Sequence, residues 1–265
     1  MIDYFSTLIK NSLSGGSKQS LTYCFDPIGF VESPFKDKYG VPRQPQLASS
    51  AKGKIKFRND PDLVTALKTL EQFSHLWVIF VFHDHGGKNW KPSIRPPRLG
   101  GRTKVGVLSS RSPHRPNPIG ISPVKIESLN IEADGGAEIL ISGLDLIDGT
   151  PVLDIKPYIP YADSIPSAHA GWAADDIKKY PVSFSDEAKS FLLSLNEQYD
   201  EFLNLMIQVL EIDPRPAYQK RGAPIDQSGS EEQTYGIEIS GFEVKYSIKE
   251  GGILVTKIYR PSGTK

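Results

Sequence analysis

The segment Leu76-Trp77-Val78-Ile79-Phe80-Val81-Phe82 is the longest apolar run in this chain of 265 residues, and it decides the fold class. Seven apolar residues in succession are typical of a β-strand that is buried on both faces, and they are too few to cross a bilayer. Three further segments alternate, or nearly alternate, between apolar and polar residues: Lys104–Val107, Pro123–Ile126 and Glu138–Ile141. Turn signals such as Asp148-Gly149 separate these segments, so we expect several short strands.

One helix is predicted before the apolar run. Pro61 follows Asp60 as it would in a first helical turn, and Leu63, Leu67 and Leu70 then fall on one helical face. Many short strands with a single inserted helix predict a barrel-like β domain.

The sequence pattern changes after about Tyr180. Ser185 can cap a helix that begins with Asp186 and Glu187, and a helical apolar stripe continues to Val209. Two alternating segments around Glu250-Gly251-Gly252 then predict a hairpin. We therefore expect a loose N-terminal extension (1–21), a β-barrel domain (22–170) and a smaller α+β C-terminal domain (180–265).

The composition excludes several classes of protein. Cys24 is the single cysteine, which rules out a disulfide framework and a cysteine-based zinc site within one chain. We expect Cys24 to be a small buried residue. The first twenty residues lack a basic start followed by a sustained apolar core, so they do not resemble a signal peptide. We predict a cytoplasmic protein with no membrane segment.

The formal net charge is zero, but the charges are unevenly distributed. The segment from His85 to Ile126 contains no acid and nine basic residues: Lys88, Lys91, Arg95, Arg98, Arg102, Lys104, Arg111, Arg115 and Lys125. Such a segment can contact phosphate, or it can be a solvated loop whose charges pair elsewhere in the fold.

Three segments combine proline with polar side chains: Val41–Gln46, Arg111–Gly120 and Asp154–Tyr161. Proline fixes φ, so such loops lose little entropy when they become ordered. They can hold arginine, asparagine and glutamine side chains in place before a ligand arrives, although prolines can also simply turn corners on a barrel. Three such segments in one domain favour a site.

These three segments resemble those of the TrmO family, also called YaeB or TsaA-like proteins. The resemblance extends over roughly Pro27 to the C-terminus, and further matching segments are Phe73–Trp77, Arg95–Gly101, Asp145–Pro151 and Asp213–Tyr218. It implies a mainly β fold with a β-barrel methyltransferase domain rather than a Rossmann domain. In agreement, no G-x-G-x-x-G fingerprint follows a strand.

The resemblance also implies a function. Members transfer a methyl group from S-adenosylmethionine to N6 of threonylcarbamoyladenosine at position 37, beside the anticodon of threonine tRNA. They act as homodimers. Two alternatives are a non-catalytic module that binds S-adenosylmethionine or RNA, and a methyltransferase of the same fold with another substrate.

Site residues follow from the resemblance by position. The expected cofactor contacts are Gln44, Pro45, Gln46, Leu47, His83, Asp84, Arg111, Ile121, Ser142, Gly143, Leu144 and Asp145. The target nitrogen belongs to a urea-like group and needs a base nearby. Asp154 is the first candidate for this base and Tyr158 the second, while Lys156, Arg115 and Asn117 could hold the threonyl carboxylate and carbonyls.

No metal site is expected. His83 and His85 would point to opposite faces of an extended segment, so they would not converge on one ion. Imidazole titrates near neutral pH, which would suit His114 to catalysis, but the family that the chain resembles varies at this position, so we do not expect His114 to be essential.

Overall fold

The computed structural model describes residues 23–85, 90–131, 136–222, 224–225, 233–249 and 251–261. The predicted N-terminal extension lies outside these residues. The strands are β1 Gly29–Glu32, β2 Lys52–Phe57, β3 His75–Val81, β4 Ser93–Ile94, β5 Val105–Gly106, β6 Ile119–Asn130, β7 Glu138–Ser142, β8 Pro151–Pro157, β9 Val182–Phe184, β10 Thr234–Ile239, β11 Phe242–Lys249 and β12 Gly252–Tyr259. The helices are α1 Pro61–Ala66, α2 Pro160–Asp163, α3 Asp186–Leu193, α4 Tyr199–Leu210 and α5 Ala217–Gly222.

Six strands close into an antiparallel barrel in the order β1-β2-β7-β6-β3-β8. Closure pairs every strand on both sides and leaves no open sheet edge. The interior is filled by apolar side chains that are almost completely buried: Val31, Ile55, Leu76, Val78, Val124, Ile139, Ile141 and Val152. The prediction of a mainly β protein with a barrel is confirmed.

The central apolar run forms β3, but the expectation that it is buried on both faces is wrong. Leu76, Val78 and Phe80 point into the barrel and are buried, whereas Trp77 and Ile79 point outward and are only half-buried. A barrel strand has one inner and one outer face, and side chains alternate between them. The apolar residues of the outer face therefore form part of a surface.

The predicted helix begins where expected. The Asp60 carboxylate accepts a hydrogen bond from the Asp62 amide at 2.9 Å, and Pro61 occupies the first turn of α1. The helix ends at Ala66, earlier than the leucine pattern indicates, and a 3₁₀ turn at Leu70–Gln72 follows. Segment Lys104–Val107 likewise contributes only the two-residue strand β5 before another 3₁₀ turn.

A second sheet has the order β10-β11-β12-β9, with β9 parallel to β12. The predicted hairpin is the β11–β12 pair, and the Ser185 hydroxyl caps α3 by accepting a hydrogen bond from the Ala188 amide at 3.1 Å. The apolar stripe does not form one long helix, because the chain breaks between α3 and α4 at Asn196, whose φ is +49°.

The barrel and the second sheet are joined by hydrogen bonds. The Ser50 amide donates to Gln208 Oε1 at 2.8 Å, and the Ser240 amide donates to the Pro34 carbonyl at 2.8 Å. Cys24 is exposed rather than buried, so that expectation is wrong. Among the described residues, no helix is long and apolar enough to span a membrane.

Candidate active site

A cleft of about 1510 Å³ opens on the outside of the barrel and extends to the segment that follows α4. Loop 41–47, the ends of β3 and β6, and segments 93–98 and 109–115 form its barrel side. Residues after α4, including Asp213, together with Lys220 of α5, form the opposite wall. Two parts of the chain that are far apart in sequence thus enclose one space.

Most of the expected cofactor residues line this cleft: Gln44, Pro45, Leu47, His83, Asp84, Arg111, Ile121 and Asp145. Gln46, Ser142, Gly143 and Leu144 are not among the residues that line it. The Gln46 amide donates to the Gly143 carbonyl at 2.9 Å. Gly143 has a φ of +71°, a left-handed conformation that favours glycine, and a Cβ at this position would require the end of the Gln46 side chain to move.

Two of the proline-containing segments meet across the cleft. Arg111 Nη1 donates to Gln44 Oε1 at 2.7 Å, which joins loop 41–47 to segment 109–115. Close backbone packing also shapes the wall, because the Phe80 ring lies directly over Gly120 and occupies the space of a Cβ. The structure therefore brings the two loops together as one preformed surface.

Asp145 contributes a partly buried carboxyl group to the cleft. Its Oδ1 atom is buried and has no hydrogen-bond partner among the described residues. Burial raises the pKa of this carboxyl to about 6, while hydrogen bonds from Ser122 and from its own backbone amide, and the charge of Arg111, oppose the rise. Near pH 7 the wall of the cleft therefore holds an ionised carboxyl group with a buried, unused acceptor atom.

His85 and His114 lie side by side in the same cleft, with ring centroids 5.0 Å apart. Burial lowers the pKa of both imidazoles. Repulsion from His114 lowers the pKa of His85 further, and repulsion from Lys91 lowers the pKa of His114 further. His83–His85 forms a 3₁₀ turn rather than the extended segment that we expected. The described residues contain no group of three or more His, Cys, Asp or Glu side chains that could hold a metal ion.

The five candidate catalytic residues are not all in the cleft. Arg115 lines it, whereas Asn117 is exposed just before β6. Asp154, Lys156 and Tyr158 lie along the outer side of β8 and the residue after it. Segment Asp154–Tyr161 was expected to be a rigid loop, but its first four residues belong to β8, because they pair with β3.

The barrel register relates Asp154 to the cleft. Ile79 of β3 pairs with Asp154 on one side and with Ile121 of β6 on the other. Residues paired directly across antiparallel strands point to the same face, and two strand spacings are about 10 Å. Asp154 therefore lies on the outer face about 10 Å from Ile121, next to Lys156, whose Nζ is 2.8 Å from Asp154 Oδ2.

Comparisons with known proteins agree with this architecture. Residues 30–164 match the family model described as the tRNA-methyltransferase O N-terminal domain, and residues 177–261 match the TrmO C-terminal domain. The chain belongs to the TrmO family. The tRNA (adenine(37)-N6)-methyltransferase of Escherichia coli is 40% identical over 235 residues, which cover 88% of this chain and 97% of that protein.

Two further relatives of this TrmO family member extend the comparison. A protein of Pyrococcus abyssi named "Probable S-adenosyl-L-methionine-binding protein" is 36% identical, over 66% of this chain and 89% of its own length. A crystal structure of TrmO from Pseudomonas aeruginosa superposes with a TM-score of 0.72 at 33% identity, and the match covers 92% of this chain and all of that one.

The basic segment of this TrmO family member divides into two groups. Arg95 and Arg98 line the cleft, whereas Arg102 and Lys104 are exposed outside it. None of the four forms a salt bridge with a described residue. The alternative, in which the charges of this segment pair with residues elsewhere in the fold, is therefore not supported for these four side chains.

Sequence reasoning gave no role to three cations that line the cleft, Arg43 on the barrel side and Arg215 and Lys220 on the opposite wall. Arg43 lies in a proline segment that we singled out, and Arg215 lies in a matching motif, but neither received a role. Lys220 was not considered at all. Arg43 Nη2 donates to the Arg215 carbonyl at 2.6 Å, a contact between residues 172 positions apart that only the fold can reveal.

Proposed function

We propose that this protein methylates N6 of adenine 37 in tRNA with S-adenosylmethionine as the methyl donor, and that the target is threonylcarbamoyladenosine in threonine tRNA. The observation that carries the proposal is the cleft itself. It combines the partly buried carboxylate of Asp145 with a basic rim, which consists of Arg95 and Arg98. Membership of the TrmO family and the names of its relatives support the reaction. The threonylcarbamoyl group and the choice of tRNA rest on the sequence resemblance.

The residues of the cleft fit S-adenosylmethionine. The unpaired Oδ1 of Asp145 needs a donor or a cation, and this cofactor carries an ammonium, a sulfonium and an aromatic amine. Ile121, which is 51% exposed, gives an apolar wall for a ring. When bound, the cofactor would supply an activated methyl group that a nitrogen nucleophile can attack in line, with the neutral thioether as the leaving group. We therefore assign the cofactor to the loops around Gln44, His83, Arg111 and Asp145.

Asp154 is our candidate base. The urea-like N6 becomes a competent nucleophile as its proton leaves, so a carboxylate within hydrogen-bond reach accelerates the transfer. Lys156 keeps Asp154 paired and can bind the threonyl carboxylate, as can Arg115 in the cleft and Asn117 at its edge. Tyr158 packs against Trp77, with ring centroids 5.6 Å apart, and this contact fixes its position beside the same face.

The outer face of β6, β3 and β8 supports a homodimer. Trp77 and Ile79 are half-buried on this face, beside Val81, Ile119 and Ile121, which line the cleft. Covering such a surface is favourable at roughly 25 cal/mol per Å² of apolar area. A second copy on this face would lie between Asp154 and the cleft, so that the two copies complete each site. We place this dimer in the cytoplasm with its tRNA.

Methyl incorporation into purified tRNA tests the proposal. Wild type should transfer the methyl group to tRNA that carries the threonylcarbamoyl group. Asp154→Ala should lose at least about 100-fold in rate with unchanged cofactor affinity, as expected for a general base. Asp186→Ala on the exposed start of α3 is the matched control and should behave as wild type. Cofactor binding without any transfer would instead favour a non-catalytic module.

A further inference from the structure

Four charged residues at the junction of the barrel and the second sheet form what we call the junction cluster: Arg43, Asp213, Arg215 and Lys220. Asp213 accepts two hydrogen bonds from the Arg215 guanidinium, from Nε at 2.8 Å and from Nη2 at 3.0 Å. Both side chains are almost completely buried, and Arg215 also lies over the Tyr235 ring at 4.9 Å. This pair is neutral and satisfied, as buried charges must be.

Two more cations surround the same carboxylate. Lys220 Nζ donates to the Asp213 carbonyl at 2.6 Å and lies 3.3 Å from Asp213 Oδ2. Arg43 donates to the Arg215 carbonyl. Asp213 is the carboxylate whose attraction acts on both Arg43 and Lys220. The cluster thus sets three cations against one carboxylate, an excess of two positive charges among the described residues.

This excess is costly in a half-buried position. Burial lowers the pKa of Lys220 to about 8, and repulsion from Arg43 and Arg215 adds to the effect against the attraction of Asp213. Burial also lowers the pKa of Arg43. The Lys220 side chain is nevertheless 27% exposed, and Arg43 and Lys220 both line the cleft. An incoming anion can reach them and would relieve their mutual repulsion.

The wall formed by α5 adjoins the basic rim, Arg95 and Arg98, on the barrel side of the cleft. Arg221 Nη1 donates to the carbonyls of Gly100 and Gly101 at 3.2 and 3.3 Å, which fixes the loop carrying Arg98 against α5. Arg95 and Arg98 line the cleft on this side. The junction cluster is therefore one end of a cationic track that runs from α5 to segment 93–98.

We propose that the junction cluster is a binding site for a backbone phosphate of the tRNA, held jointly by Arg43 of the barrel and Lys220 of the C-terminal domain. The inference rests on the proposed function, because it takes tRNA as the substrate. A phosphate offers several acceptor oxygens and a full negative charge, which matches two cations that share one carboxylate. The C-terminal domain thus binds RNA directly and closes the cleft around it.

The test measures tRNA affinity at several salt concentrations. Lys220→Gln should weaken binding about fivefold, and the slope of log K against log salt should become shallower by about 0.7 to 0.9, the value for one lost phosphate contact. Lys220→Arg keeps the charge and should restore both quantities. Lys189→Gln on α3, away from the cleft, is the matched control. Equal thermal unfolding midpoints for the variants and wild type establish that folding is intact.

Two outcomes would overturn the inference. A wild-type slope in Lys220→Gln would mean that this residue contacts no phosphate. An effect seen only with tRNA that carries the threonylcarbamoyl group, and absent with an unmodified transcript, would assign the cluster to the substrate carboxylate instead. Methyl transfer by wild type is measured in parallel, so a failure of the proposed function is recognised separately.

Discussion

Replacement of Asp145 by asparagine separates two effects that the structure combines in one carboxyl group. The folded protein raises the pKa of Asp145 from 3.8 to about 6, chiefly through burial. Below pH 3.8 the group is neutral in both the folded and the unfolded state. As the pH rises from 3.8 to 6 the unfolded chain ionises first, so the carboxyl progressively destabilises the fold, and this loss is complete above about pH 6.

The size of the effect follows from the shift. A rise of about two pKa units corresponds to about 3 kcal/mol at pH 7. Asparagine removes this charge but leaves an amide N–H₂ where Oδ1 is now unpaired, which costs about 1 kcal/mol or more. We therefore expect Asp145→Asn to stabilise the apo protein by about 1–2 kcal/mol at pH 7, or about 5 °C in its unfolding midpoint. The gain should disappear towards pH 4.

The affinity of Asp145→Asn for S-adenosylmethionine should fall, although its stability rises. If the ionised Oδ1 holds a cationic or donor group, the variant should bind S-adenosylmethionine at least about tenfold more weakly, as for a lost charge-assisted hydrogen bond. Wild-type affinity should fall as the pH drops below about 6, whereas the affinity of the variant should not. Calorimetry and thermal unfolding between pH 4 and 8 measure both effects. A variant that is less stable at pH 7 and binds the cofactor normally would refute the reasoning.

Three further predictions concern the basic rim, the outer face and the barrel wall. Replacing Arg95 and Arg98 by glutamine should weaken tRNA binding and make the salt dependence shallower by about 1.4 to 1.8, with cofactor affinity unchanged; the reverse pattern would place both in the cofactor pocket. If the proposed homodimer forms through the outer face, Ile79→Glu should convert it to a monomer by light scattering, while Leu193→Glu on exposed α3 should not; an intact Ile79→Glu dimer would contradict the proposed interface. Gly120→Ala should destabilise the barrel by about 1–3 kcal/mol in denaturant unfolding, because its methyl group overlaps an aromatic ring, and wild-type stability would contradict this packing.

Local patterns in the sequence predict those elements whose stabilising contacts are local. The Asp60-Pro61 start of α1, the Ser185 cap of α3 and the β11–β12 hairpin each depend on residues a few positions apart, and all three are present. Strand β8 was missed because its prolines stand at its two ends, Pro151 and Pro157, where a lost donor is tolerated. Its interior alternates too weakly to distinguish a strand from a loop.

The candidate site likewise contains residues that the sequence predicts and residues that only the assembled fold brings together. Family resemblance places Arg111 and Gln44 in one site, and the structure joins them by a hydrogen bond. No sequence pattern indicates that Arg43 contacts the Arg215 backbone or that Lys220 lies in the cleft, because both depend on how the second sheet docks on the barrel. The burial that shifts the pKa of Asp145 is equally a property of the assembled fold.

The arrangement of charge across the cleft explains why a net charge of zero says so little about function. Asp145 presents a negative charge within the cleft, while Arg98 and Lys220 present positive charges on the walls. A cationic cofactor is attracted to Asp145 and repelled by Arg98 and Lys220. A polyanionic substrate is attracted to Arg98 and Lys220 and repelled by Asp145. We therefore expect the two ligands to be directed to different parts of one cleft. Neutralising Asp145 should weaken only cofactor binding, and neutralising Lys220 should weaken only tRNA binding. The two variants together would show whether charge directs each ligand to its place in the cleft.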